Sequence, residues 1–203
     1  MKAKNNILPY LAIIAVFIIS FLLDEKISHL FESTRIPLLD FIFGIITNFG
    51  IVLAIMLIIP LLMLKDNRKI YALLLAFFSS VFISVVAKWM FLRQRPTDFA
   101  YPFVKILSYS FPSMHAVVAF SLLPLLLYFL PRQKNFWIPF AFLVIFTRVY
   151  LGFHYLSDVV FGAILGYFLG YSLLDLHLRG KLWKIKAKTG KNSSLTGRCF
   201  ICC

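Results

Sequence analysis

The sequence predicts an all-α integral membrane protein, a bundle of six transmembrane helices. Three observations carry that prediction. Of 203 residues, 61% are hydrophobic and only 14% charged, against about half and about a quarter in a soluble domain, and mean hydropathy is +0.89. The apolar residues gather in blocks of sixteen or more that are nearly free of charge, close to the ~20 residues a helix needs to cross a bilayer. Strand-like alternation is absent, which argues against a barrel. Such blocks exclude a soluble enzyme, a disordered chain and a nucleic-acid-binding module. The net charge of +13 is therefore a topology signal before it is a binding signal.

The spans follow from charge spacing. They are expected over 7–23, 45–64, 70–92, 114–130, 136–151 and 156–174. Several are slightly short, as in a small bundle with local bilayer thinning. The first follows Lys2 and Lys4 as a signal peptide would, but no small-residue cleavage site succeeds it, so it is read as an uncleaved span. Residues 24–44 mix Leu30, Phe31, Leu38 and Phe41 with Glu32, Arg35 and Asp40, the pattern of an amphipathic interfacial helix broken near Pro37. The longest polar loop is 93–112.

Six spans put both termini on one side. That side carries 14 of the 21 Lys and Arg residues and the other side 7. The positive-inside rule places the termini in the cytoplasm. The chain then divides into a membrane domain over 1–178 and a basic cytoplasmic tail over 179–203, whose Leu182, Trp183 and Ile185 among lysines suit anionic lipid. Cys199, Cys202 and Cys203 all fall in that tail. They form no disulfide framework or metal spacing, and Phe200 breaks the CaaX pattern.

Ionisable residues at span ends are costly and mark function by default. Lys88 lies in the last turns of the third span. Arg95 follows seven residues later, on the same face if the helix continues to Pro96. Ser113 and His115 open the fourth span, Arg148 closes the fifth, and His154 and Asp158 stand i, i+4 at the start of the sixth. Any one of these cations would be explained by snorkelling. Together, three cations, two imidazoles and one carboxylate converge on the outer leaflet. His29 and His177 read as ordinary surface residues.

These residues carry a family resemblance. Lys88 to Pro96 matches K-x6-R-P, Pro112-Ser113-Met114-His115 resembles P-S-G-H, and Arg148 to Asp158 matches R-x5-H-x3-D. The chain resembles the type 2 phosphatidic acid phosphatase superfamily, membrane relatives of vanadium haloperoxidases. The resemblance implies a haloperoxidase-like helical core and a lipid phosphate phosphatase that acts on phosphatidate, phosphatidylglycerophosphate or a polyprenyl phosphate or diphosphate. It also implies that His154 is the nucleophile, forming a phosphohistidine. Two positions depart from the pattern: Met114 stands where Gly is usual, and Thr147 where Ser often precedes the arginine.

The chemistry suits these side chains. Lys88, Arg95 and Arg148 balance phosphate charge. Ser113 is placed as an N-cap, so the N–H groups of Met114 and His115 open a helix start to an anion. No metal or other cofactor is called for. Asp158 would fix the tautomer of His154, and His115 would protonate the leaving oxygen and then activate water. Spacing alone also allows the two histidines to exchange roles. Met114 keeps a phosphotransferase, passing the group to a lipid or sugar hydroxyl, as the alternative. A transporter that binds lipid phosphate without cleaving it is a third reading, though one with little use for a His–Asp pair. Gly162, Gly166 and Gly170 stripe the sixth span at four-residue intervals. Packing inside the bundle is preferred over a homodimer for that face, and the oligomeric state stays open.

Overall fold

A computed structural model gives the architecture and describes residues 7–97, 105–180 and 182, with the side chains of 105 and 106 excepted. The basic tail past residue 182 and its cysteines lie outside the described residues, as does the middle of the 93–112 loop. The described residues form helices and no strands. In order these are α1 (Leu8–Leu22), α2 (Asp24–Ser33), α3 (Pro37–Ile46), α4 (Phe49–Leu53), α5 (Ile59–Met63), α6 (Asn67–Phe91), α7 (Met114–Phe129), α8 (Lys134–Tyr150) and α9 (Leu156–Leu178).

The expected amphipathic stretch is two short helices, α2 and α3, and the second opens on Pro37, where a missing N–H costs nothing. Between α4 and α5 the chain makes one π-turn, Ala54–Ile58, and the Ile59 N–H reaches back five residues to the Ala54 carbonyl. Pro60 follows at once. Its ring would crowd the carbonyl four residues earlier in a regular helix, and the wider turn relieves that crowding.

α6 shows how the bundle sorts its faces. Ala72, Ala76, Ser80, Ser84 and Lys88 recur every four residues and are all buried. Phe78, Phe82, Trp89 and Met90 look outward, as expected where the surroundings are lipid. The two serines satisfy themselves by bonding carbonyls of the preceding turn, Ser80 to Phe77 and Ser84 to Ser80, each at 2.7 Å. The small stripe leaves room for α7, whose residues from His115 to Leu126 are buried on every side. A helix apolar all round belongs at the centre of a bundle.

α9 packs on α7 more extensively than any other pair among the described residues. The glycine stripe faces inward, as the bundle reading expects. A Cβ on Gly166 would lie 2.3 Å from the Val117 carbonyl oxygen, and one on Gly170 would lie 2.1 Å from that of Ser121. Only hydrogen fits at either place.

α6 and α9 are each long and apolar enough to cross a membrane. Three bent pairs reach that length together: α1 with α2 at 52°, α3 with the α4–α5 segment at 46°, and α7 with α8 at 119°. Counting each pair once gives up to five crossings among the described residues, against the six expected.

Gly166→Ala and Gly170→Ala should each destabilise the protein, because the obstacle is α7 backbone and not a movable side chain. Overpacking costs about 1–3 kcal/mol. Thermal unfolding in detergent should show a lowered midpoint for both. An unchanged midpoint would mean that α7 and α9 lie farther apart than described.

Candidate active site

The C-terminal ends of α6 and α8 and the N-terminal ends of α7 and α9 meet around a cavity of about 190 Å³. Lys88, Arg95, Arg148, His115 and His154 line it, with Met114, Phe49 and Leu107 as its apolar wall. Ser113 and Asp158 stand just behind. All eight residues singled out from the sequence are thus brought to one place.

Each cation is held by groups that cannot leave. α6 stops at Leu92, which adopts a left-handed conformation (φ 47°). The helix does not continue to Pro96 as expected, and Arg95 comes from a non-helical segment beyond it. Its three guanidinium nitrogens donate to the carbonyls of Ser108, Leu107 and Phe153, each at 2.8 Å. Lys88, 2% exposed, donates to the carbonyls of Tyr109 at 2.5 Å and Ser110 at 3.3 Å. Arg148 donates to the Thr47 hydroxyl at 3.1 Å and lies over the Phe153 ring. Its own carbonyl accepts the N–H groups of Phe153 and His154 at 3.1 and 3.2 Å, which ties the α8–α9 loop to the end of α8.

His154 does not begin α9 as the i, i+4 spacing implied. Tyr155 is the N-cap and Asp158 the third helical residue, and the two form a capping box in which Asp158 Oδ2 accepts the Tyr155 N–H at 2.9 Å. His154 Nδ1 stands 3.6 Å from Asp158 Oδ2, too far for a hydrogen bond. Ser110 fills the gap. Its hydroxyl donates to Asp158 Oδ2 in a short hydrogen bond and lies 3.4 Å from His154 Nδ1. The Ser110 main-chain carbonyl also bonds the His154 ring. With Nδ1 turned to Ser110, Nε2 is the nitrogen left for the cavity. Burial first, then Arg148, Arg95 and Lys88, hold the His154 pKa well below the ordinary imidazole value. The ring is neutral at physiological pH, the state in which it can attack.

Across the cavity, Ser113 caps α7 in an extended conformation but makes no side-chain cap bond. Its hydroxyl and His115 Nε2 are buried without a hydrogen-bond partner among the described residues. Buried polar atoms of this kind call for a ligand or water. They stand at a helix start, where N–H groups face outward. The His115 ring also bonds the Thr47 main-chain carbonyl and packs edge-on against Phe49.

Sequence reasoning missed four contributors. Ser110 bridges Asp158 and His154. Thr47, at the end of α3, holds both Arg148 and His115. Arg93 donates to Asp158 Oδ1 and to Asp24 Oδ2, each at 2.7 Å. Asp24 makes Asp158 one of two buried carboxylates here, not the only one. An Asp directly after an apolar span was the one available signal; Ser110 and Thr47 gave none. The two remaining histidines lie apart: His29 is exposed beside Glu32. His177, read as a surface residue, is half-buried at the end of α9 against Phe129.

Comparison with known proteins agrees with this geometry. Residues 69–180 match the family model of the PAP2 superfamily. An undecaprenyl-diphosphatase of Sulfolobus acidocaldarius is 32% identical over 134 residues, 62% of this chain and 64% of that protein, so the match spans just under two thirds of that relative. Phosphatidylglycerophosphatase B of Bacillus subtilis is 33% identical over 162 residues, 70% of this chain and 77% of that protein. Among solved structures, a transmembrane PAP2-type phosphatidylglycerolphosphate phosphatase from Bacillus subtilis superposes with a TM-score of 0.63 at 28% identity, covering 87% of this chain and 97% of that one. LpxE of Aquifex aeolicus gives 0.62 at 25%, covering 75% and 95%. The class that fold and site define is the PAP2 membrane phosphatases, hydrolases of phosphoric ester bonds. This chain belongs to the PAP2 superfamily.

The low pKa of His154 has a spectroscopic consequence. In histidine-labelled protein, the His154 nitrogen resonances should keep their neutral-imidazole shifts at pH 6.5 and begin to move only well below it. An imidazolium signal from His154 at pH 6.5 would contradict the burial described above.

Proposed function

We propose that the protein is a membrane lipid phosphate phosphatase. It hydrolyses a phosphomonoester or diphosphate of a lipid through a phosphohistidine on His154. The observation that carries this is the single cavity that joins three fixed cations, a neutral imidazole and a second imidazole with a partnerless ring nitrogen. The names of the relatives support lipid phosphates as substrates and leave phosphatidate, phosphatidylglycerophosphate and polyprenyl phosphates or diphosphates as candidates.

The chemistry runs in two steps. A phosphate enters among Lys88, Arg95, Arg148 and the α7 N–H groups. His154 Nε2 attacks phosphorus as the P–O bond to the lipid breaks, and His115, protonated at Nε2 against the bound phosphate, gives that proton to the departing oxygen and regains one from the water of the second step. The positive charge that develops on His154 faces Asp158. Water then attacks the phosphohistidine, with His115 as base, and His154 is released. The cations lower the barrier because they already stand where charge will accumulate. This account uses no metal, because Lys88, Arg95 and Arg148 supply the positive charge.

The cavity is smaller than the roughly 300–1,000 Å³ of a drug-sized pocket. It suits a phosphate or diphosphate group while lipid tails stay in the bilayer. We place the site at the outer face of six crossings, with both termini and the basic tail in the cytoplasm. The 119° turn between α7 and α8 supports two crossings there instead of one bent span, because the chain reverses direction. Each would be short, about 24–26 Å at 1.5 Å per residue. A phosphotransferase remains a second reading, because Met114 lines the cavity where a smaller residue would admit water more freely.

A panel of lipid phosphates in detergent, assayed with EDTA and with or without an alcohol acceptor, tests the reading. Inorganic phosphate should be released in EDTA, and vanadate should inhibit as a mimic of the transferring group. Activity lost on chelation and restored by Mg²⁺ would overturn the metal-free mechanism. A phosphorylated acceptor formed in place of inorganic phosphate would favour the transferase.

A further inference from the structure

Arg93 lies two residues before the motif arginine, and Asp24 lies at the start of α2, sixty-nine positions away in sequence. The site chemistry described so far uses neither. Their placement gives them a role beyond fastening α2 to α9. The Arg93 guanidinium is a fork between two carboxylates. Nη1 donates to Asp158 Oδ1 at 2.7 Å and to the Ser157 hydroxyl at 2.8 Å, while Nη2 donates to Asp24 Oδ2 at 2.7 Å. Asp24 in turn accepts the Ser157 N–H at 2.8 Å and its hydroxyl at 2.5 Å.

Arg93 also reaches Asp158 by a second route. Its carbonyl accepts the Ser110 N–H at 2.7 Å, and the Ser110 hydroxyl holds the other Asp158 oxygen and faces His154. One residue therefore sets both oxygens of the carboxylate. The two carboxylates are buried, with Asp24 and Asp158 side chains 4% and 0% exposed, while that of Arg93 is 24% exposed, and Tyr155 and Phe21 lie against the guanidinium at 4.2 and 5.4 Å. Burial works against the Arg93 charge, but Asp158 and Asp24 outweigh it, and its pKa stands above the ordinary value.

The charges explain why there are two carboxylates. An arginine paired with Asp158 alone would cancel the negative charge that His154 needs as it becomes cationic. Asp24 cancels the arginine instead, so Asp24, Arg93 and Asp158 together carry one net negative charge.

We propose that Asp24 and Arg93 are positioning residues for His154, acting through Asp158: Arg93 fixes the carboxylate, and Asp24 keeps it electrically available to the imidazole. The proposal rests on the reading of His154 as nucleophile. Groups facing His154 are Lys88 from α6, Arg95 from the following segment, His115 from α7, Arg148 from α8 and Asp158 from α9. The substitutions at Arg93 and Asp24 below replace none of these five.

The test compares kcat, KM and the acid limb of kcat/KM for para-nitrophenyl phosphate in the full chain, in detergent. Arg93→Gln removes a cation and should move the limb to higher pH. Asp24→Asn removes an anion and should move it to lower pH. Substrate ionisation is common to all profiles, so the opposite signs belong to the protein. Both variants should lose kcat by about 10- to 100-fold, the range for groups that orient a functional ligand, with KM little changed. A merely structural clamp predicts shifts of one sign or none, and either result overturns the proposal. Arg93→Lys covers the case in which Arg93→Gln fails to fold. It keeps the charge and loses the fork, so kcat should fall with the limb in place, and an undiminished kcat would overturn the positioning role. His154→Ala run in parallel separates the two levels. Activity retained there overturns the nucleophile reading and this inference with it, whereas an inactive His154→Ala beside unmoved limbs overturns this inference alone.

Discussion

Three cations must share one small buried space, and one end of the bundle is arranged around that constraint. Lys88, Arg95 and Arg148 repel one another, and removing each from water costs several kcal/mol (~) before anything is gained. Lys88 and Arg95 donate to main-chain carbonyls of residues 107–110 and 153. Carbonyl dipoles lower the cost of each charge without cancelling it. A carboxylate partner would have answered the repulsion more fully and left less charge for a phosphate. The arrangement keeps the positive field and fixes its sources before substrate arrives, which is the condition under which electrostatic stabilisation lowers a barrier.

The same demand reaches down into the bundle. Carbonyls can serve as ligands only if the segment carrying residues 107–113 is itself pinned. Ser110 is held by Arg93, and the Ser113 N–H donates to the Asp158 carbonyl at 3.2 Å. From there α7 descends against α9, with glycines at the contact, so His115 on α7 and His154 just ahead of α9 are set by helices whose separation cannot drift.

Much of this was legible in the sequence, and the reasons are specific. Charge-free blocks showed the helices because lipid tolerates little else. Lys88, Arg148, His154 and Asp158 stood out because ionisable groups at span ends need a reason. The glycine stripe declared a close helix contact through its period. The end of α6 was misjudged: Leu92 takes a left-handed conformation with no glycine or asparagine to announce it, and Arg95 reaches the site from outside the helix. The His154–Asp158 pair was read as a direct contact on one helix face, whereas Asp158 caps α9 and Ser110 stands between them. Ser110, Thr47, Arg93 and Asp24 were hidden for a common reason. Each is an ordinary polar residue at a helix end or in a connecting segment, and its meaning comes from partners 44 to 133 positions away, which no local pattern encodes.

The central claim is that His154 carries the phosphoryl group. Trapping it tests that claim most directly, in a variant where the second step is slow. His115→Ala removes the proposed acid and base, so an activated substrate such as para-nitrophenyl phosphate should still load the enzyme while hydrolysis lags. Quenching in detergent at alkaline pH and mass spectrometry should then find acid-labile phosphate on His154, and none in His154→Ala. Phosphate found on His115 in the His154→Ala variant would reverse the two roles.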